Sequence, residues 1–220
     1  MTALNVLLLA DSRLPNGGHA HSGGVEMAVE TGLVSTVDDL ELFLRGRLRT
    51  AGPVLAAFGA AGALLADDWD QWDRALSARI PSAALRTASR RQGAALLRTV
   101  ARMWPVPNGL LALGRPHQPL VLGAAVRAGG GDPNDAAALA VHHLLGGACS
   151  AAVRLLGLDP LAVAAVQASL DATEIIGDAV AAAHIAVTAN DPDCLPAVSG
   201  PMTELLAAAH AHQEVTLFAS

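Results

Sequence analysis

In its second half this chain repeats one instruction for starting a helix. Asp132-Pro133, Asp159-Pro160 and Gly200-Pro201 each set a turn-forming residue before a proline. The first helical position needs no N–H donor, so proline fits there, and an aspartate before it accepts from the unbonded amides of the first turn. These starts predict helices over 133–156, 160–190 and 201–215. The first half is punctuated in the same way. Ser35 or Thr36, followed by Asp38 and Asp39, predicts a helix over 36–50, its first-turn carboxylates favoured by the helix dipole. Gly52-Pro53 is expected to break the chain and start another helix over 53–66. Helices over 68–79 and 82–104 follow, the first stopped by Pro81. Shorter helices are expected over 3–10 and 22–31, and the stretch from Pro105 to Pro119 as irregular chain. No run alternates apolar and polar residues long enough to make a strand. The expectation is an all-α, single-domain bundle of about eight to ten helices.

Composition agrees. Hydrophobic residues make up 52% of the 220 residues but aromatics only 3%, much of the remainder being alanine. Alanine favours helix and buries little area, so stability must come from many close helix contacts rather than a few bulky anchors. On the helix over 82–104, Leu85, Ala88, Gln92, Leu96, Val100 and Met103 share one side, and Arg91, Arg98 and Arg102 share another. On the helix over 133–156, Ala140, Leu144, Gly147 and Ala151 form a small-residue face, open to packing within the chain or to a dimer contact.

Several function classes fall away. All 14 basic residues are arginine, which excludes a P-loop lysine, a Schiff base and a lysine general base. No HExxH, GxSxG or strand-linked GxGxxG is present. Cys149 and Cys194 stand far apart with no CxxC, and the N-terminus has no basic n-region, a pattern expected of a cytoplasmic protein. The uncharged runs 50–66 and 136–153 are too short and too interrupted for membrane spans. Net charge is −6 and uneven: residues 155–220 carry eight acids and no Lys or Arg. The acidic portion reads as a solvated face or as a surface for a basic partner. The arginine stripe reads as a solvated face, a site for an acidic protein or a phosphate contact. Without interleaved aromatics, nucleic acid is not expected as a partner.

Histidine is the one metal-ligand type present in quantity. His19-Ala20-His21 lies in a glycine-rich loop, where a loop-shaping role, a partner contact and a metal pair all stay open. His210-Ala211-His212 reads as a solvated helix end, and one of His142 and His143 as a hydrogen-bonded core histidine.

One segment is far more specific. Asp11-Ser12-Arg13-Leu14-Pro15-Asn16-Gly17-Gly18-His19-Ala20-His21-Ser22-Gly23-Gly24-Val25-Glu26 resembles the N-terminal signature of the UreF family of urease accessory proteins. Glu30-Thr31-Gly32-Leu33-Val34 continues the likeness. In family order follow Ser89 to Leu97, His117-Gln118-Pro119-Leu120-Val121-Leu122-Gly123, and Ser150 to Pro160. The family pattern often has an aromatic where His19 stands, and Tyr or Arg before a C-terminal Leu-Phe. Here Val215-Thr216 precede Leu217-Phe218. As a shaped loop, the signature is expected to use Pro15, Gly17 and Gly18 for its turns and Ser22 to cap the helix carrying Glu26.

The resemblance implies a non-catalytic helical protein over 1–220 that forms homodimers and has a partner-binding tail at about 205–220. It implies binding to UreD/UreH and to the GTPase UreG, in an assembly that delivers nickel to apo-urease. No tightly bound cofactor is implied, because nickel is handled by the complex. The expected partner-binding residues are Asp11, Ser12, Leu14, Pro15, Gly17, Gly18, His19, His21, Ser22, Glu26, Arg90, Leu217 and Phe218. The rival expectation is a helical nickel-binding chaperone that uses the loop histidines His19 and His21.

Overall fold

A computed structural model describes residues 2–18, 21–210 and 218. Among them are eleven α-helices, nine of seven or more residues, and no strand. In chain order they are α1 Thr2–Ala10, α2 Val25–Glu30, α3 Val37–Leu64, α4 Trp69–Ala78, α5 Ala83–Met103, α6 Asn108–Ala112, α7 Gln118–Ala128, α8 Pro133–Leu156, α9 Pro160–Ser169, α10 Thr173–Ala189 and α11 Pro201–His210.

The fold is an all-α bundle with α3 on its axis, surrounded by α8, α7 and α10. Thr36 and Asp39 close a capping box at the start of α3, as the sequence suggested. Its course corrects the expectation at Gly52-Pro53: one helix of 28 residues runs straight through Pro53. An interior proline removes a hydrogen bond and crowds the preceding turn, at a cost of about 3 kcal/mol. Burial offsets this cost, since Ala56, Ala57, Phe58, Ala60 and Ala61 are all fully buried on the following turns.

Glycine lets backbones touch around α3. A Cβ on Gly62 would lie 2.6 Å from the Leu120 carbonyl oxygen, and one on Gly123 would lie 2.6 Å from the Ala63 nitrogen. Gly59 faces α8 as well, where a Cβ would sit 3.4 Å from that of Ala140. Helices α3, α7 and α8 therefore pack at backbone distance, as an alanine-rich core with few aromatics requires. Ala140 and Ala151 of the small-residue face are buried within the chain.

Two further boundaries differ from expectation. The stretch before Pro119 contains the short α6, and the resemblance segment from His117 opens α7, buried from Pro119 to Val126. The helix expected over 160–190 is two helices meeting at a bend of 55°. Asp171 causes the restart, its carboxylate accepting from the Thr173 amide at 2.9 Å. Among the described residues α8 alone is long and apolar enough by itself to cross a membrane. Most of its apolar window is buried inside the bundle, which is the setting of a core helix. The arginine stripe of α5 stands in solvent as read: Arg91, Arg98 and Arg102 are exposed while Ala88, Leu96 and Val100 are buried.

Candidate functional site

The signature loop joins α1 to α2 and lies across α5 and α8. Asp11 holds Arg13 through a paired set of hydrogen bonds, the closest at 2.6 Å, which keeps the Asp11 carboxyl at about 2. The Leu14 side chain is buried. The Pro15 carbonyl accepts from Thr99 Oγ1 at 2.7 Å, and Gly17, at φ 77°, lets the loop settle on Ala95. Below it, His143 Nε2 donates to the Leu9 carbonyl at 3.0 Å, and its Nδ1 accepts from the Gln118 amide at 3.3 Å. This fixes one neutral tautomer, and burial pushes the ring's pKa down to about 4. His143 is thus the hydrogen-bonded core histidine of the pair, and His142 is exposed.

His21 is also buried, and desolvation, with Arg91 nearby, holds its pKa near 4. Ser22 and Glu26 are buried beside it. Helix α2 begins at Val25 with Gly24 as its N-cap at φ 90°, so Ser22 does not cap it as expected. Glu26 has another task. One carboxylate oxygen accepts from His210 Nε2 at 2.7 Å and from the Phe218 amide at 3.2 Å, both buried. His210 is only 6% exposed, which corrects its reading as a solvated helix end. Phe218 packs into its own chain, with the Arg154 guanidinium 4.6 Å from the ring centroid. His19 and Leu217, and likewise His212, lie outside the described residues.

The other two resemblance segments, from α5 and from the start of α7, meet in a second polar cluster. His117 is fully buried, with Nδ1 2.9 Å from Ser89 Oγ and Nε2 2.8 Å from Ser77 Oγ. Asp73 accepts from the His117 backbone amide at 2.8 Å and from Arg90 at 2.6 Å. Arg90 also donates to Ser77 Oγ and to the Arg115 carbonyl. The Pro116 carbonyl lies over Gly93, where a side chain would collide with it. Burial pushes the His117 ring down to about 4, and the negative charge of Asp73 opposes this only in part. Serine, histidine and aspartate are together here, but the aspartate binds the backbone rather than the ring, and solvent does not reach the histidine. The cluster therefore lacks the orienting contact and the access of a nucleophile–base pair. It locks α4, α5 and α7 together.

Between the loop, α3, α8, α9 and Phe218 opens a cleft of about 470 Å³, whose wall includes Asp11, Ser12, Gly18, His21, Arg47 and Arg154. Among the described residues, no group of three or more His, Cys, Asp or Glu side chains is gathered to hold a metal ion. Arg47 escaped notice in the sequence. Its signal was its place on the apolar side of α3, three and seven residues after Leu44 and Leu40.

The fold and the site define an all-helical protein whose polar side chains brace a shaped loop across the bundle. The comparisons name the kind. Residues 34–171 match the model of the UreF family. The chain is 44% identical to the urease accessory protein UreF of Mycobacterium sp. (strain JLS), over all of both chains. It is 42% identical to that of Mycolicibacterium vanbaalenii, over 98% of this chain and 97% of the relative. It is 40% identical to that of Mycobacterium tuberculosis strain H37Ra, over all of both chains. The chain belongs to the UreF family.

Proposed function

We propose that this protein is a cytoplasmic scaffold of urease maturation. It binds UreD/UreH and the GTPase UreG, as a homodimer, and the assembly delivers nickel to apo-urease. The observation that carries this reading is full-length kinship with proteins named urease accessory protein UreF. The braced signature loop supports it, since a rigid surface recognises a partner at lower entropic cost than a mobile one. The protein does no covalent chemistry in this reading. It links the nucleotide state of UreG to nickel release by binding one state more tightly than the other. The chain acts as a single unit over 1–220, with its segment at about 205–220 turned to UreD/UreH.

Co-purification with UreD/UreH and UreG of the same host, followed by size-exclusion chromatography with light scattering, tests the proposal. A stable ternary complex is expected, with this protein present in two copies. Folded helical protein that elutes alone overturns it.

A further inference from the structure

Arg47 is a buried cation that the fold leaves without an ion pair among the described residues. Its side chain is 9% exposed, and among the described residues neither Nε nor Nη1 has a hydrogen-bond partner. Burial lowers its pKa to about 10, so it is still a cation at neutral pH. The acid whose charge it feels, Glu204, already accepts from the Ser82 amide at 2.6 Å. A buried, unpaired guanidinium is costly, and such groups persist where something binds them.

The surroundings are built around this group. Arg47 stands in the wall shared by two neighbouring clefts, of about 470 Å³ and about 160 Å³, together with His21, Gly23, Gln92 and Gln118. Gly23, at φ 62°, lets the guanidinium pack against the loop backbone: a Cβ there would lie 3.1 Å from Nη1. Among the described residues, no carboxylate of the larger cleft pairs with it. Asp11 is occupied by Arg13 and His21 is neutral at pH 7, while in the smaller cleft Glu204 acts on Arg47 through its charge without pairing with it. The Gln92 amide lines the same wall, and the Gln118 amide, which gives one hydrogen to His143 Nδ1, has a second to donate.

We propose that Arg47 and the two glutamine amides form a binding site for a small planar oxyanion, a carboxylate in the first instance. A guanidinium matches the two oxygens of a carboxylate in its own plane, which a rounder or monatomic anion cannot do. Nε and Nη1 each present less than 1 Å² of surface. The anion is therefore seated by a rotation of the guanidinium that turns these groups toward the cleft it lines.

The test titrates sodium formate and sodium acetate into the purified full-length chain against sodium chloride at equal ionic strength, read by thermal melting and by calorimetry. A saturable rise in Tm over chloride is expected, about 5 °C or more at a hundredfold excess over Kd. Arg47→Met abolishes it. Ala51→Glu guards against misfolding of that variant. Ala51 lies one helical turn beyond Arg47 and lines the same smaller cleft, so a glutamate there supplies the partner from within. Ala51→Glu is expected to melt above the wild type in chloride and to lose the response to carboxylate. Equal behaviour of the wild type in chloride and carboxylate overturns the site, as does an undiminished response in Ala51→Glu. Anion binding is read on the isolated chain and complex formation on the assembly, so either can fail alone.

Discussion

Replacing Gly123 by alanine puts one methyl group where α7 crosses α3. That methyl would meet the Gly59 carbonyl, and it would lie 2.6 Å from the Ala63 nitrogen and 2.7 Å from the Gly62 carbonyl carbon. All three neighbours are backbone of a helix that is itself packed on its other sides, so no side chain can swing away. The helices must part by roughly 1 Å, which forfeits a quarter to a half of the dispersion energy of each facing atom pair. Overpacking commonly costs 1–3 kcal/mol, and with backbone on both sides we expect roughly 3–5 kcal/mol. For a chain of this size that lowers Tm by roughly 10 °C. Far-UV circular dichroism during heating and urea denaturation both report it. The matched control is Gly46→Ala, an exposed position on α3 where a Cβ meets nothing within 4 Å. There the gain in helix propensity is expected to raise stability by about 0.5–1 kcal/mol. If Gly123→Ala melts within about 2 °C of the wild type, the glycine-to-backbone contact does not set the spacing of the bundle.

Glu26→Ala strips His210 and the Phe218 amide of a shared acceptor in a buried site. The expected cost is about 2–4 kcal/mol, with faster limited proteolysis beyond residue 200. Arg90→Met leaves the Asp73 carboxylate buried without its cation, for a loss of about 3 kcal/mol by urea denaturation. A double-mutant cycle with Asp73→Asn should recover at least about 1 kcal/mol of coupling. His21, His117 and His143 all have folded pKa values pushed down to about 4 from 6.5, so the unfolded chain binds more protons between those values. Stability is therefore complete above about pH 6.5 and falls as pH drops towards 4. Urea midpoints at pH 7, 5.5 and 4.5 should decline in that order, and a flat profile would contradict the neutral, buried state of these rings.

What could be read in the sequence was local. The Asp-Pro starts and the Thr36–Asp39 box fix helix beginnings through contacts within a few residues, and all appear where expected. Pro53 misled because its effect depends on burial around it, which no local pattern records. Asp171 was legible in principle, since an aspartate two residues before Thr173 is itself a start signal inside an apolar run. The site was legible as a loop and not as a network. Glu26 was singled out by resemblance, but its partners His210 and Phe218 are 184 and 192 residues away. Likewise Ser89, Arg90 and His117 stood in two separate resemblance segments, and nothing in their spacing announced that α4 would supply Asp73 and Ser77 between them. Arg47 belongs to no motif, and only the packing of other elements against α3 buries it.

The single carboxylate of Glu26 also sets an order of events during synthesis. It leaves the ribosome early, yet one of its hydrogen-bond donors is a backbone amide made 192 residues later. Until His210 and Phe218 emerge, the Glu26 carboxylate lacks both of these donors, so the buried site they share cannot be completed. The loop most characteristic of the family is thus finished among the last parts of the molecule, and a chain stopped short of Phe218 would carry the right signature on an unsealed surface.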